Sequence, residues 1–199
     1  VHGMRRGPAQ LVEIKPDKNN WEAFPNKEWN AKPGSGTNVL NTAHGVAIDS
    51  QDRLWVTDHG NWMPDNGKPQ QPKLVAFDIN TRQEVFRMDF PEEIGPRGGI
   101  MQDIAVDAER GFAYIADCGA TPAIVVVDIN NKTAHRFTNH PSLNAENVDL
   151  VVEGQTLKFP RPDGTMHNAR VPINPITLSA DGETIYYGAM NGETLYSVP

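Results

Sequence analysis

Short apolar runs alternate with polar turns along the chain. His44–Trp62 shows the unit: Val46–Ile48 and Leu54–Val56 are apolar, and Ser50–Arg53 joins them as a polar turn. His44, Asp58 and His59 flank the outer ends. Runs of this length, rich in β-branched and aromatic residues and bounded by turn formers, predict antiparallel strands.

The unit repeats. HGVAID (44–49) recurs as QDIAVD (102–107) and NPITLS (174–179). RLWVTDHG (53–60) recurs as FAYIADCG (112–119) and more weakly as TIYYGAMN (184–191). PKLVAFDINTRQ (72–83) recurs as PAIVVVDINNKT (122–133), and TLYSVP (194–199) is a truncated echo. The order of the motifs is kept each time. Strands are predicted at 45–49, 53–57, 73–78 and 83–89, then at 103–107, 112–116, 123–128 and 133–137. Asp49, Asp107 and Asp128 fall at turns, where Asp bonds its own backbone. The best helical candidate, Leu143–Val152, is short and carries little apolar period.

Four antiparallel strands per repeat predict an all-β fold of the β-propeller type, with a β-sandwich as the competing architecture. The first run of each unit is the innermost strand, apolar enough to be buried on both faces. The blades span about 44–89, 102–137 and, incompletely, 173–199. Residues 1–43 read as a remnant of a preceding blade, and 139–171 as a long polar, Pro-rich insert. Closed propellers have four or more blades, so the chain is expected to be part of a longer one.

Composition narrows the partners. Charged residues make up 22% and the net charge is −7, which argues against nucleic acid. No apolar run is long enough to predict a membrane span. The first ten residues show no apolar signal-peptide core, and the single cysteine, Cys118, excludes an internal disulfide. No G-x-S-x-G, H-E-x-x-H, P-loop or G-x-G-x-x-G motif occurs.

LWVTDHG, PKLVAFDINT, QDIAVD, YIADCG, IVVVDINN and the closing ITLSADGETIYYGAMNGETLYSVP together resemble the yellow / major royal jelly protein family, with bacterial members the closer match. The resemblance runs from about Leu11 to Pro199. It implies a six-bladed propeller, of which this chain holds the first three to four blades. It also implies a small-molecule ligand and a secreted or periplasmic location. A looser similarity, at Asn174–Pro175 and Ser179–Gly182, is to gluconolactonase-type propellers. That one implies a metal-dependent lactonase-like hydrolase with a divalent cation such as Ca²⁺, and it would make Asn174 and Asp103 metal ligands. Pro175 stands where those proteins have Gly, and Ala189 where an acidic ligand is expected. A non-catalytic interaction propeller is the third reading.

Antiparallel pairing places the start of each first strand and the end of each second strand at one end of the sheet. That end collects His44 and Asp58, then Gln102, Asp103 and Asp117, then Asn174 with Gly188, Ala189 and Met190 opposite. Asp103, His44 and Asp117 are the candidate acid–base catalysts. Arg97, in the Gly-rich GPRGGIMQD, joins Gln102, Asn174 and Asp58 as a candidate for substrate binding. Cys118 and the tryptophans Trp21, Trp29, Trp55 and Trp62 read as packing residues. The loop with His59, Asp65 and Asn66 is a weak metal candidate.

Overall fold

A computed structural model describes residues 7–17, 19–60, 70–161 and 163–199. Trp62, Asp65 and Asn66 lie outside them. Among the described residues there is no α-helix, and none long and apolar enough to cross a membrane.

After a short hairpin, β1 (Val12–Ile14) with β2 (Trp21–Ala23), come two four-stranded antiparallel meanders. The first is β3 (Ala43–Ile48), β4 (Arg53–Asp58), β5 (Lys73–Asp78) and β6 (Glu84–Asp89). The second is β7 (Met101–Asp107), β8 (Phe112–Asp117), β9 (Ala123–Asp128) and β10 (Thr133–Phe137). The third sheet has three strands, β15 (Ile173–Leu178), β16 (Ile185–Ala189) and β17 (Leu195–Val198). Between the second and third sheets a 3₁₀ turn (Pro141–Leu143) leads to two small hairpins. These are β11 (Val151–Val152) with β12 (Gln155–Thr156), and β13 (Lys158–Pro160) with β14 (Met166–Asn168). The helical candidate Leu143–Val152 is thus turn and strand.

The first strands β3 and β15 each pack against β7 without pairing to it, so the sheets stand side by side as propeller blades. Three apolar layers alternate with the sheets. Phe24, Trp29 and Leu40 cover one face of the first blade at Val56, Val75 and Phe77. Trp55, Leu74 and Phe86 meet Ile104, Ile115 and Val125 between the first two blades. Ala116, Leu143, Ile173, Ile176 and Tyr187 fill the space before the third. Trp29 and Trp55 are therefore core, whereas Trp21 is 49% exposed.

The first strands are not equally buried. β7, with a neighbour on each side, buries Ile104 and Ala105. On β3, Val46 and Ile48 are 49% and 66% exposed, because no described blade covers that face. Turn chemistry follows the sequence: Asp49 accepts from Gln51 N at 2.9 Å, Asp107 from Arg110 N at 2.9 Å and Asp128 from Asn131 N at 2.9 Å. Arg82 joins the β5–β6 turn to Glu13 and Glu22 of the first hairpin.

Candidate functional site

Each first strand carries an irregularity at the same place. On β3 the pairing passes from Ala43–Asp58 to Val46–Val56, on β7 from Met101–Asp117 to Asp103–Ala116, and on β15 from Ile173–Ala189 to Ile176–Tyr187. In every case the first strand has one residue more than its partner, which defines a β-bulge. His44, Gln102 and Asn174 sit in these three bulges. A bulge bends the strand and re-aims a side chain. Gly45 and Pro175 suit it locally: proline tolerates a position outside the ladder. At Gly45 a Cβ would come within 3.0 Å of Gln102 O in the next blade.

A second set of equivalent positions lies just past the end of the second strand. His59 N donates to Thr42 O at 3.3 Å, Cys118 N to Ile100 O at 3.0 Å and Met190 N to Pro172 O at 3.1 Å. His59, Cys118 and Met190 thus hold the same place in three blades. The two sets adjoin. His44 and His59 stack edge to face, with ring centroids 5.4 Å apart. The Asn174 side chain hydrogen-bonds Cys118. Burial and the neighbouring Asp117 push the Cys118 thiol up to about 11, so it is protonated at neutral pH. Burial lowers the pKa of His59, against the opposing pull of Asp58 and Asp117.

Asp58 and Asp117 end the second strands, opposite Ala43 and Met101 at the edges of the bulges, and are 0% exposed; the two sets of side chains beside them form the mouth of this blade arc. Asp58 accepts from Asn41 N (2.7 Å), Thr42 N (2.8 Å), Gly60 N (2.9 Å) and Lys73 Nζ (2.7 Å). Burial pushes its carboxyl up, but Lys73 and the backbone donors outweigh that and hold it below the usual range. Asp117 accepts from Ile100 N (2.7 Å), Gly119 N (2.8 Å) and Arg136 Nη1 (2.7 Å). Both carboxylates fasten the segment leading into a first strand. Their cations come from different strands. Asp58 pairs across the ladder with Lys73, whereas Asp117 pairs with the small Ala123, and Arg136 reaches in from β10. In the third blade Ala189 has no carboxylate, and Asn191 takes over. Its Oδ1 accepts from Val171 N at 2.7 Å, and its Nδ2 donates to Val148 O at 2.7 Å and Ala169 O at 3.0 Å.

Asp103 ties blades together. Its Oδ1 accepts from Ile104 N at 3.0 Å, and its Oδ2 from Ile176 N of the third blade at 3.0 Å. The first two blades are stitched likewise by Thr57 Oγ1, which donates to Met101 O at 2.7 Å. Arg97 is exposed on the loop before β7.

The residues present do not fit a divalent cation of the gluconolactonase kind. Asp103 already accepts two backbone N–H groups, Ala189 supplies no ligand, and no group of three or more His, Cys, Asp or Glu among the described residues could hold a metal ion. The sequence already set Met190 opposite Asn174, Cys118 on the rim beside Asp117 and His59 at the outer end of its unit, but Cys118 read as packing and none of the three was taken as a binding residue. The signal was available, since each follows the same position of an aligned motif.

Blades standing side by side, each with a bulged first strand opening at the same end, define a β-propeller arc. The profile of the major royal jelly protein family matches residues 41–199, and the chain belongs to that family. It is 28% identical to major royal jelly protein 7 of Apis mellifera over 87% of this chain and 38% of that one. To major royal jelly protein 6 of the same species it is 30% identical over 89% and 39%. To protein yellow of Drosophila guanche it is 30% identical over 55% and 21%. The chain thus spans about two fifths or less of these curated relatives. A chain in a crystal structure of a nidogen/laminin complex superposes with a TM-score of 0.46 at 12% identity, covering 96% of this chain and 72% of that one.

Proposed function

We propose that this propeller binds a small molecule at the mouth formed by His44, Gln102, Asp103 and Asn174, with His59, Cys118 and Met190 beside them. The observation that carries the reading is the bulge repeated in all three first strands, each time at a polar or aromatic side chain. Bulges are over-represented next to binding and active sites because they present a side chain outside the ladder. These side chains are also partly exposed, unlike Asp58 and Asp117. Within this reading Asp58 and Asp117 hold the frame and Arg97 stands at the rim. If turnover accompanies binding, His44 and Asp103 are its acid–base groups. Secretion belongs to the same proposal, supported by the royal jelly in the names of the bee relatives.

The test is a ligand-observed NMR screen of a small-molecule fragment library on the wild type and on Gln102→Ala/Asn174→Ala. Hits are expected to lose binding in the double variant while its melting temperature stays close to wild type. Hits that bind the double variant unchanged would place the site elsewhere.

A further inference from the structure

The two sets of equivalent positions at the mouth are His44, Gln102 and Asn174 in the bulges, and His59, Cys118 and Met190 past the second strands. None is an acid, a lysine or an arginine, although 22% of the chain is charged. The charges nearby are engaged elsewhere. Asp58 is matched by Lys73 and Asp117 by Arg136, and backbone N–H groups fill further acceptor sites on both. Among the described residues, Asp103 is the carboxylate beside the bulges that no cation matches, and each of its oxygens already accepts a backbone N–H; Arg97 stands apart on the exposed loop before β7.

Resting on the reading that this mouth binds a small molecule, we infer that its ligand is uncharged and hydroxyl-bearing. The carboxamides of Gln102 and Asn174 each offer a donor and an acceptor, which matches hydroxyl and carbonyl groups. The half-buried imidazole of His44, backed by the buried ring of His59, and the exposed thioether of Met190 offer flatter and less polar surface to the ring or chain that carries them. Among the described residues, a cationic ligand would meet no carboxylate free of a cationic partner except Asp103, already twice bonded. An anionic ligand would meet no cation in either set. Either charge would lose hydration with little in return.

Three probes of one ring shape and different charge test this: D-glucose, D-glucosamine and D-glucuronate at pH 7, titrated by saturation-transfer NMR. Glucose is expected to bind at least about fivefold tighter than either charged analogue, since a desolvated charge without a partner is costly. Binding should be lost in Gln102→Ala/Asn174→Ala. Asn174→Asp, which adds a carboxylate, should move the preference toward glucosamine. A charged analogue that binds the wild type more tightly, and is lost in the double variant, would overturn the inference and leave the mouth intact as a binding site. Failure of all three to engage the mouth also overturns it, while the fragment screen decides separately whether the mouth binds anything.

Discussion

Replacing Asp117 with Ala isolates what its buried carboxylate does. The side chain is 0% exposed and accepts from Ile100 N, Gly119 N and Arg136 Nη1. Its removal leaves a guanidinium that is 7% exposed. Arg136 keeps only the carbonyls of Ile94 and Thr121 among these partners. Breaking a buried ion pair by deleting one partner costs about 3–5 kcal/mol. For a chain of this size each kcal/mol lowers the melting temperature by about 2–4 °C, so the variant should melt about 6–20 °C lower. Thermal and urea unfolding followed by circular dichroism measure this. Replacing both partners, Asp117→Leu with Arg136→Met, removes the stranded charge and should recover most of the loss, since apolar replacement of a buried pair is often close to neutral. The recovery is incomplete because Ile100 and Gly119 still lose an acceptor. A loss below about 1 kcal/mol in the single variant, or a double variant less stable than the single, would refute the structural role; a buried pair that matters cannot behave so.

Two further outcomes follow from the mouth and the insert. Burial lowers the pKa of His59 below its ordinary 6.5; the unfolded chain therefore binds the proton first. Stability should be full above pH 6.5 and fall as pH drops from there toward the folded value, a fall that His59→Gln removes in urea-midpoint measurements against pH. Val148 O and Ala169 O bond the same Asn191 amide group, so the ends of 149–168 meet. Excising that segment with a short Gly-Asn link should leave the melting temperature within a few degrees, whereas Asn191→Ala, which strands buried backbone groups, should cost about 2–4 kcal/mol in the intact chain; the reverse order would show that the hairpins, not the clamp, support the third blade.

The strands were legible because their signal is local. Apolar runs, Asp-led turns and the order of three motifs mark them, and the antiparallel meander follows. Burial was less legible. Val46 and Ile48 read like their counterparts Ile104 and Val106, and only the neighbouring blade decides which face is covered. At the mouth the repeat led to His44, Gln102 and Asn174, but not to the bulge, which depends on register with the second strand. Gly45 and Pro175 are its only local marks, and Gln102 has none. The roles of Asp58 and Asp117 stayed hidden because their cations do not occupy equivalent positions. Lys73 corresponds to Ala123, and Arg136 to Arg87, which instead lies over Trp29 with its carbon 5.1 Å from the ring centroid. A cation that changes strand between repeats leaves no periodic trace.

The recurring bulge has an evolutionary consequence. A residue outside the ladder can be exchanged without altering any strand-to-strand pairing, so under the binding role proposed above, selection on a ligand is separated from selection on the blades. Each blade contributes one such interchangeable position, and the mouth becomes a combinatorial surface on a constant frame. Relatives no more than 30% identical to this chain can keep the blades and rewrite what they hold. For the same reason, a library randomised at residues 44, 102 and 174 alone is the smallest change from which a new specificity can be selected.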